Sequence, residues 1–210
     1  MQDFWEFLEK LTDPKSILQH GGLILLLIVL FAETGLLVGF FLPGDSLVFI
    51  SGLFCALKPQ FLNYTPLPLL LLYMTVAAVA GNMAGYWFGN KAGEKLFTKD
   101  DNIIFKKKYL QATERFYEKH GNKALIIGRF FPVIRTFAPI LAGAIKVETG
   151  KFMLLNLTGA VLWIGSICSI GYFLGTRYPE TEKHLGKIIL VMLIITTLPV
   201  VMASIRKSKK

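Results

Sequence analysis

Residues Glu33 to Gly52, ETGLLVGFFLPGDSLVFISG, lie inside an apolar run that begins at Leu23, and they restrict the fold more than any other stretch. Two carboxylates, Glu33 and Asp45, and a Pro43-Gly44 pair interrupt the run. A charge at the centre of a bilayer costs on the order of 3 kcal/mol on insertion scales. Pro43 removes a backbone donor, and Gly44 favours a turn. A plain membrane anchor needs neither. Broken backbone at membrane depth survives only where protein or a water-filled cavity covers it. Residues 39–57 are too few to cross twice as full helices, so they predict a re-entrant hairpin turning at Pro43-Gly44-Asp45, and a candidate transport site.

The flanking sequence suits that environment. With 53 % hydrophobic and 18 % charged residues, and further apolar runs at 67–80, 152–174 and 188–205, the chain is expected to be an all-α integral membrane protein. It reads as one membrane domain over 1–210 with about four full transmembrane helices. Residues 1–20 hold an amphipathic interfacial helix, with Phe4, Trp5, Phe7, Leu8 and Leu11 opposite Asp3, Glu6, Glu9 and Lys10. Asp13-Pro14 ends this helix or starts the next, and no signal-peptide pattern precedes it, so an uncleaved N-terminus is expected. The first half, 21–90, comprises a helix over 22–38, the hairpin 39–57, a loop over 58–66 and a helix to about Asn90. The second half, 124–178, comprises a broken segment over 124–146 and a helix from Thr149 to about Thr176. A mixed-charge loop and a last transmembrane helix at 188–205 complete the chain.

The net charge of +9 is concentrated. Lys91, Lys95, Lys99, Lys106, Lys107, Lys108, Arg115, Lys119 and Lys123 fall in a loop over 91–123, which holds a second surface helix at about 102–119. Arg206, Lys207, Lys209 and Lys210 end the chain. Basic clusters beside spans mark the cytoplasmic side, and they can hold anionic headgroups. Nucleic acid is not an expected partner, because aromatic and basic residues do not alternate here as a strand-binding groove needs. Cys55, Cys168, His20, His120 and His184 have no metal-ligand spacing, so neither metal nor cofactor is expected. GxSxG, GxxxxGK[ST] and HExxH are absent, and an enzyme is not expected.

The halves resemble each other. Gly39-Phe40-Phe41-Leu42-Pro43 matches Gly128-Arg129-Phe130-Phe131-Pro132, and Gly85-Tyr86-Trp87-Phe88-Gly89 matches Gly171-Tyr172-Phe173-Leu174-Gly175, at nearly equal spacings. If the loop at 91–123 is inside, the first hairpin enters from outside and the second from inside. Two opposed re-entrant hairpins in an inverted repeat are the arrangement by which secondary transporters alternate access. Both termini then lie in the cytoplasm. Gly81, Gly85 and Gly89 form a stripe that lets helices approach closely.

Four ionisable residues fall in predicted membrane segments: Glu33, Asp45, Arg129 and Arg135. Where the hairpin tips meet, the acids of the first half face the arginines of the second. One reading is two buried ion pairs that only satisfy each other. The other divides the labour. Arg129 and Arg135 bind a phosphate by bidentate hydrogen bonds, while Glu33 or Asp45 binds and releases a proton, freeing an arginine for the anion. Pro43, Gly44, Pro132 and Pro139 set the hairpin turns. Asn82 and Asn156 lie within helices and are expected to bond across them. Trp87 and Trp163 are expected to anchor or pack.

FAETGLLVGFFLPGDSLVFISG, GNMAGYWFGNKAG and GRFFPVIRTFAPILAGA, in that order, resemble the DedA family of bacterial inner-membrane proteins, also called SNARE-associated or VTT-domain proteins. The resemblance covers roughly 20–205. It implies a multi-pass protein of the bacterial inner membrane that moves lipids, linked to recycling of undecaprenyl phosphate and to the proton-motive force. The family's acids match Glu33 and Asp45, and its arginines match Arg129 and Arg135. The expected function is a flippase for undecaprenyl phosphate or a related anionic lipid, serving lipid-carrier recycling and envelope maintenance. Its partners would be the lipid and protons; a homo-oligomer is left open. The alternatives are a flippase or scramblase for phosphatidylethanolamine, and a scaffold that recruits partners through the basic loop. A proton-coupled cation antiporter ranks lower, since arginines hinder a cation.

Overall fold

A computed structural model describes residues 14–35, 44–97 and 132–191. In order, its helices are α1 (Pro14–Gly35), α2 (Gly44–Leu57), α3 (Leu67–Phe97), α4 (Pro132–Ala144) and α5 (Thr149–Arg177), with 3-10 turns at Pro59–Leu62 and Pro179–His184. No strand occurs among the described residues. Residues 185–191 are helical, and the rest of the span expected at 188–205 lies outside the described residues. So do the N-terminal interfacial helix, the surface helix at 102–119, Pro43 and Arg129.

Among the described residues, three helices are long and apolar enough to cross a membrane: Pro14–Gly35, Leu67–Ala92 and Thr149–Arg177. Each carries a face of exposed large apolar side chains, such as Ile24 and Ile28 on α1, Leu72 and Val76 on α3, and Leu154, Leu162 and Phe173 on α5. In water such faces would be a liability; against lipid tails they cost nothing. The 14-residue α2 differs. At 1.5 Å per residue it reaches about 21 Å, short of the roughly 30 Å hydrocarbon core. It is buried around its whole circumference, with every residue from Ser46 to Phe54 inside protein. A helix that is apolar all round belongs in such a place.

Several boundaries differ from those expected. The first span begins at Pro14, whose missing N–H suits a first helical position, and not at Gly22. Gly22 is instead a break within α1, at φ 55° and ψ −147°. Helix α3 continues beyond Asn90 to Phe97, so the start of the expected loop is helical. Lys91, Ala92, Glu94, Lys95 and Leu96 are good helix formers, and lysines suit a helix C-terminus. Pro139 was expected at a turn but lies inside α4. It has no N–H to offer the Arg135 carbonyl one turn earlier, a defect that membrane helices tolerate when neighbours cover it. Pro132 and Gly44, also expected at turns, are the first residues of α4 and α2.

The chain divides into two compact units, and α1, α3 and α5 each give residues to both. The first unit combines Met1–Leu30, Phe41–Ala77 and Val161–Lys210. In it α2 packs on the second part of α5, backbone against backbone. A Cβ on Gly52 would lie 2.0 Å from the Cys168 carbonyl oxygen, and one on Gly171 would lie 2.1 Å from that of Phe49. Beyond α2 the Pro59–Leu62 turn closes with Asn63 in the left-handed region, its N–H bonding Gln60 O and that of Tyr64 bonding Pro59 O. This is the Schellman arrangement.

The second unit combines Phe31–Phe40 and Ala78–Ala160. Here α4 packs on the latter part of α3 by the same device: a Cβ on Gly89 would lie 1.9 Å from Ile140 O, and one on Gly143 would lie 2.0 Å from Tyr86 O. Helix α4 also ends in a Schellman motif, with Lys146 N–H on Gly143 O, Val147 N–H on Ala142 O and Lys146 at φ 54°. Tyr86 stacks on Phe152 at 4.5 Å between centroids, and its hydroxyl donates to the Val147 carbonyl, fixing the turn into α5.

These contacts separate glycines that look alike in sequence. Gly171→Ala and Gly89→Ala should each destabilise the protein by about 1–3 kcal/mol through overpacking. A methyl group at Gly165 would meet nothing within 4 Å, so Gly165→Ala should stabilise by about 0.5–1 kcal/mol. Gly22→Ala should cost about 1–3 kcal/mol, because its backbone region is nearly closed to other residues. Melting curves of the purified variants in detergent check all four.

Candidate functional site

In the second unit, Glu33 stands in the last turn of α1 and Arg135 near the start of α4. Their side chains form an ion pair, Nη2 to Oε1, with 1 % of Glu33 and 3 % of Arg135 exposed. The glycine stripe of α3 makes the meeting possible. A Cβ on Gly81 would fall 2.5 Å from Phe31 O, and one on Gly35 would fall 2.4 Å from Gly81 O, so α1 and α3 touch through their backbones. Gly85 lies beside both Gly35 O, at 3.2 Å, and Pro139, at 3.5 Å. With no side chains on that face of α3, the ends of α1 and α4 approach closely enough for Glu33 to reach Arg135.

The local electrostatics need the carboxylate. The N-terminal end of a helix carries a partial positive charge that favours anions and disfavours cations. Arg135 is the fourth residue of α4, and no acidic residue occupies the first turn of that helix. Desolvating a guanidinium there is costly, and Glu33 offsets the cost. Taking both charges out of water consumes much of their attraction, so such a pair contributes little net stability even though breaking it is expensive.

Beside this pair, Asn82 of α3 and Asn156 of α5 bond as expected. Asn82 Nδ2 donates to Asn156 Oδ1 at 2.9 Å, and Asn156 Nδ2 donates to Val79 O at 3.1 Å. Both are 3 % exposed. Asn82, Asn156 and Arg135 share a cavity with Ala138, Pro139, Phe152 and Leu155. Its volume of about 10 Å³ is near the minimum for one water molecule.

Asp45 belongs to the first unit. It lies in the first turn of α2, where the helix dipole favours a carboxylate. Trp163 of α5 donates its indole N–H to Asp45 Oδ1 at 2.9 Å. The structure thus brings Glu33 to Arg135 and Asp45 to Trp163. The Trp163 partnership was missed from sequence, although one signal was available. Tryptophan in membrane proteins concentrates at the interfaces, whereas Trp163 is the middle residue of α5 and is 1 % exposed. An indole N–H at that depth needs an acceptor. Trp87, by contrast, is 58 % exposed, as an anchor would be.

Comparison with known proteins agrees with a membrane protein. Residues 23–173 match the VTT domain. The chain is 40 % identical over 185 residues to protein DedA of Escherichia coli K12, covering 88 % of this chain and 83 % of that one. It is 36 % identical over 191 residues to an uncharacterized membrane protein of Mycobacterium leprae, covering 91 % and 83 %. It is 32 % identical over 203 residues to the inner membrane protein YqjA of Escherichia coli K12, covering 96 % and 84 %. No solved structure matches. With a VTT domain over residues 23–173, apolar spans among its described residues and this similarity over most of its length, the chain belongs to the DedA family of multi-pass membrane proteins.

Proposed function

We propose that the protein is a lipid transporter and not an enzyme. Its substrate would be an anionic phosphoryl lipid, undecaprenyl phosphate or a related one, which it returns across the bacterial inner membrane coupled to protons. The observation that carries this reading is the Glu33–Arg135 pair, sealed from solvent in a membrane protein. Intramembrane ionisable residues are rare, pair with one another and mark substrate and proton paths. The Glu33 carboxylate stands in for the group a lipid phosphate would present to Arg135: a planar or tetrahedral oxyanion accepting from the guanidinium. Protonation of Glu33 removes the competitor, and the headgroup then binds Arg135. Loss of the proton on the opposite side restores the pair and expels the headgroup, while the polyprenyl tail stays in the bilayer. Arg129 is proposed as a second headgroup ligand and Asp45 as a second proton-exchanging group.

The short α2, buried from Ser46 to Phe54, supports the reading of a re-entrant hairpin, because a helix too short to span and buried through its middle has no lipid-facing role. The repeated packing device supports an inverted repeat. In each unit a short helix that starts after or at a proline meets a long helix through reciprocal glycines, Gly52 with Gly171 and Gly143 with Gly89. The positive charge of the loop at 91–123 and of the C-terminal tail favours the cytoplasm for both, and four full spans would put the N-terminus on the same side.

Two variants separate transport from mere pairing. Arg135→Ala leaves Glu33 buried without its cation and should cost about 3–5 kcal/mol of stability, read as a lower melting temperature in detergent. The double variant Glu33→Leu with Arg135→Met should restore stability to the wild-type level or above, because apolar residues of similar volume replace a buried pair well. In liposomes holding a fluorescent short-chain polyprenyl phosphate, that stable double variant should nevertheless lose transport. Transport at the wild-type rate would mean that the pair serves only itself. A parallel series with labelled phosphatidylethanolamine separates the two lipid classes, and inactivity of the wild type toward both favours a scaffold.

A further inference from the structure

The hydrogen bond from Trp163 to Asp45 joins a residue with a proposed role to one with none, and its setting is specific. Trp163 is buried at the midpoint of α5. Indole offers one donor and no acceptor, so it can bond the carboxylate only as a donor. The Asp45 side chain is at the mouth of α2 and is partly exposed, while Gly44 and residues Ser46 to Phe54 around it are buried.

The register that brings the two together is set elsewhere on the same helix pair. Gly52 lies against the Cys168 carbonyl and Gly171 against that of Phe49. Both contacts are backbone to backbone, which leaves α2 and α5 little freedom to slide. From Gly52 back to Asp45 and from Cys168 back to Trp163 is about two turns and one and a half turns of helix. The glycine contacts therefore fix the distance at which the indole meets the carboxylate. Packing alone does not require tryptophan there: phenylalanine would fill most of the space and need no acceptor in an apolar helix.

We propose that Trp163 is the positioning residue of Asp45: its indole N–H holds the carboxylate in one orientation at the start of α2, on a helix pair that moves as one piece. This rests on the reading that Asp45 exchanges a proton during transport. Trp163 touches neither lipid nor proton in this scheme and acts through Asp45. The ligand of the indole is the carboxylate of this chain.

The test uses the full chain in liposomes with the fluorescent polyprenyl phosphate. Trp163→Phe removes the N–H and keeps an aromatic ring; it should lower the maximal transport rate by about tenfold, the factor for roughly one 1.4 kcal/mol hydrogen bond, with little change in the lipid concentration for half-maximal rate. Asp45→Ala should also be slow, and adding Trp163→Phe to it should bring no further loss of stability beyond that of Asp45→Ala. A tryptophan that only fills space would instead add its full cost in both backgrounds. Should Trp163→Phe fold poorly, β-(3-benzothienyl)alanine at 163 keeps the shape and replaces the N–H by sulfur. A direct readout comes from protein in which Trp5 and Trp87 are phenylalanine: the indole N–H vibrational band of Trp163 should shift to its unbonded position on Asp45→Ala. Wild-type transport by Trp163→Phe while Asp45→Ala is slow, or an unmoved indole band, overturns the positioning role and leaves the transporter reading intact. Wild-type transport by Asp45→Ala overturns the role assigned to Asp45 and the positioning role with it.

Discussion

Contact between helix backbones at glycine is the constraint on which the other features depend. Lipid tails are as apolar as leucine, so helices in a bilayer gain little from hiding apolar side chains and much from close approach. In the first unit, Gly52 and Gly171 bring α2 and α5 into such contact, and Trp163 then reaches Asp45. In the second, Gly35 against Gly81 and Gly143 against Tyr86 draw α1 and α4 onto α3, and Glu33 then reaches Arg135. A methyl group at these glycines would push the helices apart by more than a hydrogen bond can stretch. The polar contacts are thus consequences of steric choices made one or more turns away.

Much of this was legible beforehand because it follows from one-dimensional pattern. Long apolar runs give the three spans with errors only at their ends, where propensity and capping decide and periodicity says little. Pro14 and Phe97 are such ends. The stripe Gly81, Gly85, Gly89 announced close packing without naming partners, and the partners turned out to be two different helices, α1 and α4. Asn82 and Asn156 were readable because an amide within an apolar helix has few alternatives to a neighbour's amide or carbonyl.

Other features were not legible, for identifiable reasons. Proline signals a break only on average; Pro139 sits inside α4 because the surrounding helices relieve what the ring costs. The Trp163–Asp45 bond joins residues far apart in the chain, and a tryptophan's donor leaves no periodic trace. Which arginine would meet which acid was open as well. Glu33 lies towards the end of one helix and Asp45 begins another, and both arginines flank Pro132, so sequence alone could not rank the combinations.

The two acids are treated differently by the fold, and the difference bears on mechanism. Glu33 is enclosed and matched by a full positive charge. Asp45 is partly exposed and receives a neutral donor together with the partial charge of a helix end. Replacing a carboxylate by a phosphate at Arg135 conserves the sign of the local charge, whereas at Asp45 the same anion would meet a like charge. On the proposed reading, exchange with an anionic headgroup therefore belongs to the Glu33–Arg135 pair. A buried pair that is costly to break yet adds little stability is a poor structural element and a suitable exchange site: the penalty for separating it is removed whenever a substitute oxyanion takes the arginine and a proton takes the acid.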